Sequence, residues 1–455
     1  MKVALFVHCF FPNHYYGTEV YTLTVAKELV ARGHEPVVVT ARFPGEPAQQ
    51  QMIEEYSWDG IRVISIDKNA MPHRAVRDTY DQPALTEIHR NILQQIKPDI
   101  VHVCHLINHT TALIHAASAL GLPIVATLTD FFGFCFTNQL EAADGSLCAG
   151  PAPSRANCVT CYLKATGPVP TSMFGRAILQ LAQNLSSQFL ARAVSRSHLV
   201  ERIFKFSPQD LVARPQILAE AMRAYRIAFA PSLFLKNAYE RNEFPAPLVL
   251  SHFGVDIDRS AKPTRHPGRP IHIGYIGQIA PHKGVHHLVE ALKAAGRPNL
   301  SVSIWGPNNQ APAYFRNLVD ASRGANVHFA GTFPLDSVAK VLADVDVLVI
   351  PSTWYENSPM ILLQALATHT PVIVSDVEGM TEFVEHGRNG FHFARGNSAA
   401  LAAVLRRIAD EEGLIETMSR QTEYRRTSSD MVNDLLASYD SVLRMEPSQH
   451  IGLAP

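Results

Sequence analysis

The chain has 455 residues, is 47% hydrophobic and 18% charged, and carries 40 basic against 41 acidic side chains. That length allows two or three domains with sizeable cores, and the composition excludes a disordered or fibrous chain. A net charge of −1 gives no pointer to nucleic acid or to a polybasic membrane anchor.

The opening "MKVALFVHCF" reads as a first β-strand rather than a secretory signal, because His8 interrupts the apolar run and no small-residue cleavage site follows. No stretch reaches the roughly 18–20 apolar residues of a spanning helix. The expectation is a cytoplasmic protein, at most peripheral to the cytoplasmic face of a membrane, with its six cysteines reduced. "TEVYTLTVAKELVARG" has helical spacing, with Val20, Leu23, Ala26, Leu29 and Val30 on one face and Gly33 at its end. "EPVVVTA", "PDIVHVCHL" and "PIVATLTDF" then read as strands, with a helix through "TALIHAASALG". Buried strands alternating with helices predict a parallel sheet covered by helices.

Residues from about 171 to 225 break that rhythm and read as helices rich in Leu, Ala and Arg. It resumes at "YRIAFAPS", and the Pro- and charge-rich 256–270 stretch reads as a linker. "IHIGYIG", "LSVSIWG", "NVHFAG", "VDVLVIPS", "TPVIVSD" and "GFHF" then predict a second parallel sheet. The expected domains are therefore 1–255, with a Cys-rich loop at 135–161 and the helical insertion, and 271–430. A C-terminal helix and tail, 431–455, could pack on either. The fold class is α/β: two Rossmann-like parallel-sheet domains facing a cleft, with ligands beyond the carboxyl ends of the strands.

Three loops at such ends carry suitable chemistry. In "PNHYYGTEV", Gly17 suits a tight turn or close approach to a ligand, and Thr18 can cap the next helix; an ordinary strand-to-helix turn is the alternative. In "GYIGQIAPHKG", glycines including Gly277 lead to Lys283 at a helix start, which suits a diphosphate cradle of amides, dipole and ammonium; an ordinary turn with Lys283 merely solvated is the alternative. The spacing matches neither the dinucleotide fingerprint nor a Walker loop. In "WYENSPMILLQALA", Ser358 is a good N-cap and Pro359 a good first helical residue. The amides of Asn357 and Ser358 can meet phosphate, while Glu356, which phosphate would repel, accepts hydroxyl hydrogen bonds. Hydroxyls beside a diphosphate describe a nucleotide sugar.

Together "FFPNHYYGTEVYTLTVAKELVARGHEPVVVTA", "KPDIVHVCHL", "LPIVATLTDFF", "IAFAPSLFLKNAYERN", "GQIAPHKG", "VHFAGTF" and "VDVLVIPSTWYENSP" resemble the family-4 glycosyltransferases, retaining enzymes of GT-B architecture. The resemblance implies that Lys283 binds donor phosphates and Glu356 contacts the transferred sugar. It further implies that Asn357, Ser358, Gly17 and Thr18 face the donor, and that Asp130 is a second catalytic residue. Four positions depart from the family pattern. Gln364 stands for a ribose-binding glutamate, Gln278 for a diphosphate-supporting arginine, Thr129 for a histidine before Asp130, and Gly17-Thr18 for Gly-Gly. The implied activity is sugar transfer from a nucleoside-diphosphate sugar to a glycan or lipid-linked acceptor in cell-envelope or exopolysaccharide synthesis. A catalytically weak nucleotide-sugar or glycan-binding relative is the alternative, as is an epimerase or phosphorylase on the same fold.

"DID" (Asp256–Asp258) and "DVD" (Asp344–Asp346) read as structural, and no catalytic metal is expected. Cys135, Cys148, Cys158 and Cys161 are candidates for a structural zinc site, with free thiols or disulfides as alternatives. His102, His105 and His109 straddle a strand and its end and read as packing or surface residues, with contact to acceptor or donor as the alternative for His105, near the strand terminus. The basic 174–206 segment could meet anionic lipid or simply pack on the N-terminal domain.

Overall fold

The apolar runs fold as buried parallel strands. The computed structural model describes residues 1–142, 144–153, 155, 157–159, 161–162, 208–260, 262 and 269–445. It forms two compact units, one of residues 1–252 with 428–455 and the other of residues 253–427. The 174–206 segment lies outside the described residues.

The first unit runs β1 (Lys2–Phe6), α1 (Gly17–Ala31), β2 (Glu35–Arg42), β3 (Ile53–Trp58), β4 (Ile61–Asp67), α2 (Thr86–Ile96), β5 (Ile100–Val103), α3 (Thr110–Ala119), β6 (Ile124–Thr127), α4 (Pro208–Met222), β7 (Tyr225–Ala230), α5 (Leu233–Arg241) and β8 (Leu248–Leu250). The sheet order is β3-β4-β2-β1-β5-β6-β7-β8, parallel except for the antiparallel β3–β4 pair. That hairpin turns on Asp59 and Gly60, both at positive φ. The order reverses between β1 and β5, the place where such sheets bind ligands. Helix α1 buries Tyr21, Thr22, Leu23, Val25, Ala26 and Leu29. Val30, expected on that face, is 50% exposed, because Thr22, Val25, Ala26 and Leu29 form the inward i, i+3, i+4, i+7 stripe.

The second unit runs β9 (Ile271–Ile276), α6 (Val285–Ala295), β10 (Leu300–Trp305), α7 (Pro312–Ala321), β11 (Val327–Gly331), α8 (Val338–Asp344), β12 (Val347–Ile350), α9 (Met360–Ala367), β13 (Val372–Ser375), β14 (Gly390–Phe393), α10 (Ser398–Asp410) and α11 (Leu414–Gln421). Its order, β11-β10-β9-β12-β13-β14, reverses between β9 and β12, and all its pairings are parallel. Alternation along β12 explains its apolar run: Val347 and Val349 join one core cluster, Leu348 and Ile350 another. The end of the expected first domain and the start of the expected linker pack here, with Val255 N–H donating to the Arg426 carbonyl at 3.2 Å and Ile257 against the core. Asp346, of the second acidic pair, accepts from the His272 amide at 2.8 Å and pairs with Arg269 at 2.5 Å, a structural use.

The last helix, α12 (Ser428–Arg444), belongs to the first unit. Arg32 Nη2 donates to Ser429 Oγ at 2.7 Å, and Tyr439 OH bonds His102 Nδ1. The three sequence-flagged histidines diverge. His102 Nε2 meets Thr127 Oγ1 at 2.8 Å, His109 Nε2 the Val7 carbonyl at 2.9 Å, and His105 turns to Asp130.

Burial holds His102 down at about 3 and His109 at about 4. Both are neutral when folded and take up protons on unfolding as pH falls through the ordinary histidine value. The unfolded state then binds more protons, so stability rises with pH in this window. Scanning calorimetry should show the first unit's melting temperature falling between about pH 6.5 and 5, above the carboxylate range. An unchanged transition would contradict this burial.

Candidate functional site

Strands β9 and β12 are neighbours, so the loops leaving their carboxyl ends lie side by side. The first, 277–284, ends in a 3₁₀ turn, Pro281–Lys283, before α6. Gly284 sits at φ +67°, and a Cβ there would fall 1.9 Å from the Pro351 carbonyl oxygen. Only glycine lets these loops close together, and Thr353 N–H then donates to the His282 carbonyl at 2.8 Å.

That closure brings Lys283 Nζ to 2.7 Å from Glu356 Oε1. The same oxygen accepts from Ser352 Oγ at 2.5 Å and Trp354 Nε1 at 2.9 Å. Lys283 also stands over the Trp354 ring, 4.7 Å from its centroid. Glu356 is 8% exposed. Burial pushes its carboxyl up, but Lys283, Ser352 and Trp354 outweigh that and hold it below its ordinary value. Oε2 takes no hydrogen bond from the described residues, and it is not sealed from solvent. Burial, reinforced by Lys283, lowers His282 to about 4, so a neutral imidazole rests against Trp354 at a 4.0 Å centroid distance. Sequence reasoning missed Ser352 and Trp354 as partners of Glu356, and His282 as the ring packed on Trp354. Their only signal was adjacency to the two loop ends.

The helix start differs from expectation. Helix α9 begins at Met360 with Pro359 in the cap position. Ser358 takes φ +59°, its Oγ is buried without a partner among the described residues, and its N–H donates to the Gly379 carbonyl at 3.3 Å. Ser358 is thus neither the N-cap nor an amide facing outward, because the 378–379 backbone ties this segment down. The helix's first amides, those of Met360 and Ile361, have no intrahelical acceptor. Gln364 lies one turn beyond Met360, half-buried. Gln278 is half-buried and its carbonyl accepts from Tyr275 OH at 2.6 Å; Gly277 N–H donates to the Trp305 carbonyl at 3.0 Å.

In the first unit, α1 starts at Gly17, with Tyr16 as the cap position. Thr18 is therefore helical rather than a cap. The capping donor, Tyr16 N–H, is taken by Glu19 Oε2 at 2.9 Å. An added Cβ at Gly17 would meet nothing within 4 Å, so neither tight turning nor crowding demands glycine there. Asp130 Oδ2 lies 2.8 Å from His105 Nε2, and its Oδ1 accepts from Phe132 N–H at 2.8 Å. His105 Nδ1 accepts from Ile107 N–H at 3.1 Å, which places the ring proton on Nε2, donating to Asp130. A hollow at the ends of β5 and β6 is lined by His105, Thr129, Asp130, Phe132 and Tyr239. His105, for which the sequence offered ligand contact only as an alternative to packing, thus joins Asp130 at this hollow; its place two residues past β5 was the available signal.

Two Rossmann-like sheets, with a carboxylate–ammonium pair at the second sheet's switch point, define a GT-B-type protein. Residues 15–137 match the family described as Glycosyltransferase Family 4, and residues 256–427 match Glycosyl transferases group 1. A glycogen synthase of Mycobacterium tuberculosis is 29% identical over 190 residues, 40% of this chain and 45% of that protein. The chain thus matches less than half the length of that relative. A 2-deoxystreptamine N-acetyl-D-glucosaminyltransferase of Streptomyces fradiae is 26% identical over 450 residues, 96% of this chain and 91% of that protein. The structure of Anabaena HepE, in complex with UDP and glucose, superposes with a TM-score of 0.62 at 15% identity, covering 97% of this chain and 100% of that one. The chain belongs to the family-4 glycosyltransferases.

Gly379 is at φ +85°, and an added Cβ would lie 1.5 Å from the Glu356 carbonyl oxygen. Gly379→Ala should therefore destabilise the second unit by more than about 1 kcal/mol, read as a lower urea midpoint at unchanged slope. A wild-type midpoint would remove Gly379 as the backstop of Glu356.

Proposed function

We propose that the protein is a retaining glycosyltransferase that moves a sugar from a nucleoside-diphosphate sugar to a glycan or lipid-linked acceptor. The observation that carries the reading is the Lys283–Glu356 pair beside the start of α9. An ammonium has three donors; one serves Glu356, and the others are available to a diphosphate. The first amides of α9 and the helix dipole add to that anion site. Glu356 Oε2 accepts from a hydroxyl of the transferred sugar. The bond between the anomeric carbon and the diphosphate breaks while the acceptor hydroxyl oxygen bonds that carbon on the same face, its proton passing to the departing diphosphate oxygen. This machinery stabilises the leaving diphosphate and positions the sugar.

The nucleotide-sugar donor is supported by the UDP and glucose complex of HepE. The relative matched along nearly its whole length is named a 2-deoxystreptamine N-acetyl-D-glucosaminyltransferase, which supports a sugar donor and a small hydroxylated acceptor. Gln364 takes the ribose contact without charge assistance, the basis of a second reading in which the chain binds donor with little turnover.

Thermal shift against UDP, GDP, ADP and their sugars, followed by a nucleotide-release assay with varied acceptors, separates these readings. Stabilisation with release is expected. Binding with no release from any donor would favour the second. Glu356→Ala should lower turnover at least roughly tenfold, about 1.4 kcal/mol of barrier, with Glu356→Gln as a control for folding; unchanged activity would remove Glu356 from the reaction. Gln364→Glu should tighten nucleotide binding about fivefold, the difference between a neutral and a charge-assisted hydrogen bond, measured by calorimetry; no change would place the ribose elsewhere.

A further inference from the structure

The loop that follows Asp130 is firmly held at its base. Phe131 and Phe134 are buried, the Gly133 amide donates to Tyr239 OH at 3.0 Å, and buried Arg214 donates to the Phe132 carbonyl at 2.5 Å. Beyond that base the chain runs through "TNQLEAADGSLCAGPAPSRANC", with Leu140 buried near its start, Val159 buried just past its end and Phe136 packed edge-on against Tyr162. Its order rests on polar contacts such as Cys148 N–H to the Leu140 carbonyl at 2.7 Å and Asn157 Nδ2 to the Gly150 carbonyl at 3.0 Å. Between these anchors, residues 141–158 have no buried apolar side chain among the described residues, and polar contacts alone do not offset the entropy of ordering such a stretch.

All four cysteines outside the core lie in this one segment. Cys9 and Cys104 are buried, whereas Cys135, Cys148, Cys158 and Cys161 are half-buried, and none is in a disulfide. Cys158 lies within electrostatic reach of Cys135, Cys148 and Cys161. Cys148 Sγ accepts from Gly150 N–H at 3.4 Å and, as a thiol, donates to the Gly150 carbonyl at 3.5 Å; on loss of the thiol proton the amide contact is the one that would steady the sulfur as a ligand. Among the described residues the sulfurs are not gathered within 4.8 Å of one another, whereas His8, Cys9 and Glu19 are. That trio is accounted for by Glu19 closing the start of α1.

We infer that Cys135, Cys148, Cys158 and Cys161 together bind one zinc ion, which draws the four sulfurs into a tetrahedron and fastens the loop over the base next to Asp130. Four thiolates with a Cys-x2-Cys pair suit zinc, a closed structural site rather than an open catalytic one. Binding releases the thiol protons and supplies folding energy that the loop lacks. An iron–sulfur cluster uses the same ligand type, so the test separates the two.

Full-length protein purified without chelator should carry about one zinc per chain by mass-spectrometric metal analysis and be colourless. Its four loop thiols should react with an alkylating reagent only after zinc is stripped, and stripping should make the 135–162 segment the first site of limited proteolysis. Cobalt replacement should produce a thiolate charge-transfer band. Cys158→Ser combined with Cys161→Ser should abolish metal retention. If that variant fails to fold, the alkylation and proteolysis of wild-type protein before and after stripping decide the matter. Metal-free protein whose loop thiols react at once, a disulfide among them, or a coloured protein containing iron would each overturn the inference.

Discussion

One carboxylate oxygen with three donors organises the C-terminal unit. Taking Glu356 and Lys283 out of water opposes folding, and their mutual attraction offsets that only because Ser352 and Trp354 complete the hydrogen bonding. Each such bond to a charged group contributes about 1.5–3 kcal/mol. The concentration of donors on Oε1 also has a chemical consequence: the carboxylate is fixed in orientation while Oε2 retains its accepting capacity. A group held in this way needs little rearrangement when a ligand arrives, which is what electrostatic preorganisation requires.

The pair exists because of sheet topology and two glycines. Placing β9 beside β12 sets their exit loops next to each other, and Gly284 and Gly379 let backbone approach where any side chain would collide. Arg395 Nε donates to the Thr353 carbonyl at 2.5 Å, and Ser375 Oγ bonds the Ser352 carbonyl. These contacts fasten the 352–356 segment from the side of β13 and β14. The first unit repeats the logic on a smaller scale: the ends of β5 and β6, beside its switch point, gather His105 and Asp130, with the imidazole tautomer set by Ile107 N–H.

Much of this was legible in the sequence because strand and helix periodicities depend on local burial. The apolar runs at β1, β2, β5, β6, β7 and β9 to β14 all fold as strands. The β3–β4 hairpin escaped notice although Asp59-Gly60 between alternating residues is a strong turn signal. Lys283 and Glu356 were recognisable by residue type at strand ends. Their 2.7 Å contact was not, since it spans 73 positions and rests on strand order. Ser358 misled for a related reason. A serine before proline looks like a cap, but a tertiary bond to Gly379 puts it in the left-handed region and moves the helix start to Met360. Thr18 misled similarly, because Glu19 reaches back to do the capping.

The most direct measurement is a crystal structure of the protein with an intact or hydrolysed nucleotide-sugar donor. The account predicts diphosphate oxygens within hydrogen-bond distance of Lys283 Nζ and the first amides of α9, with a sugar hydroxyl on Glu356 Oε2. A nucleotide seated elsewhere, with the Lys283–Glu356 pair untouched, would contradict it.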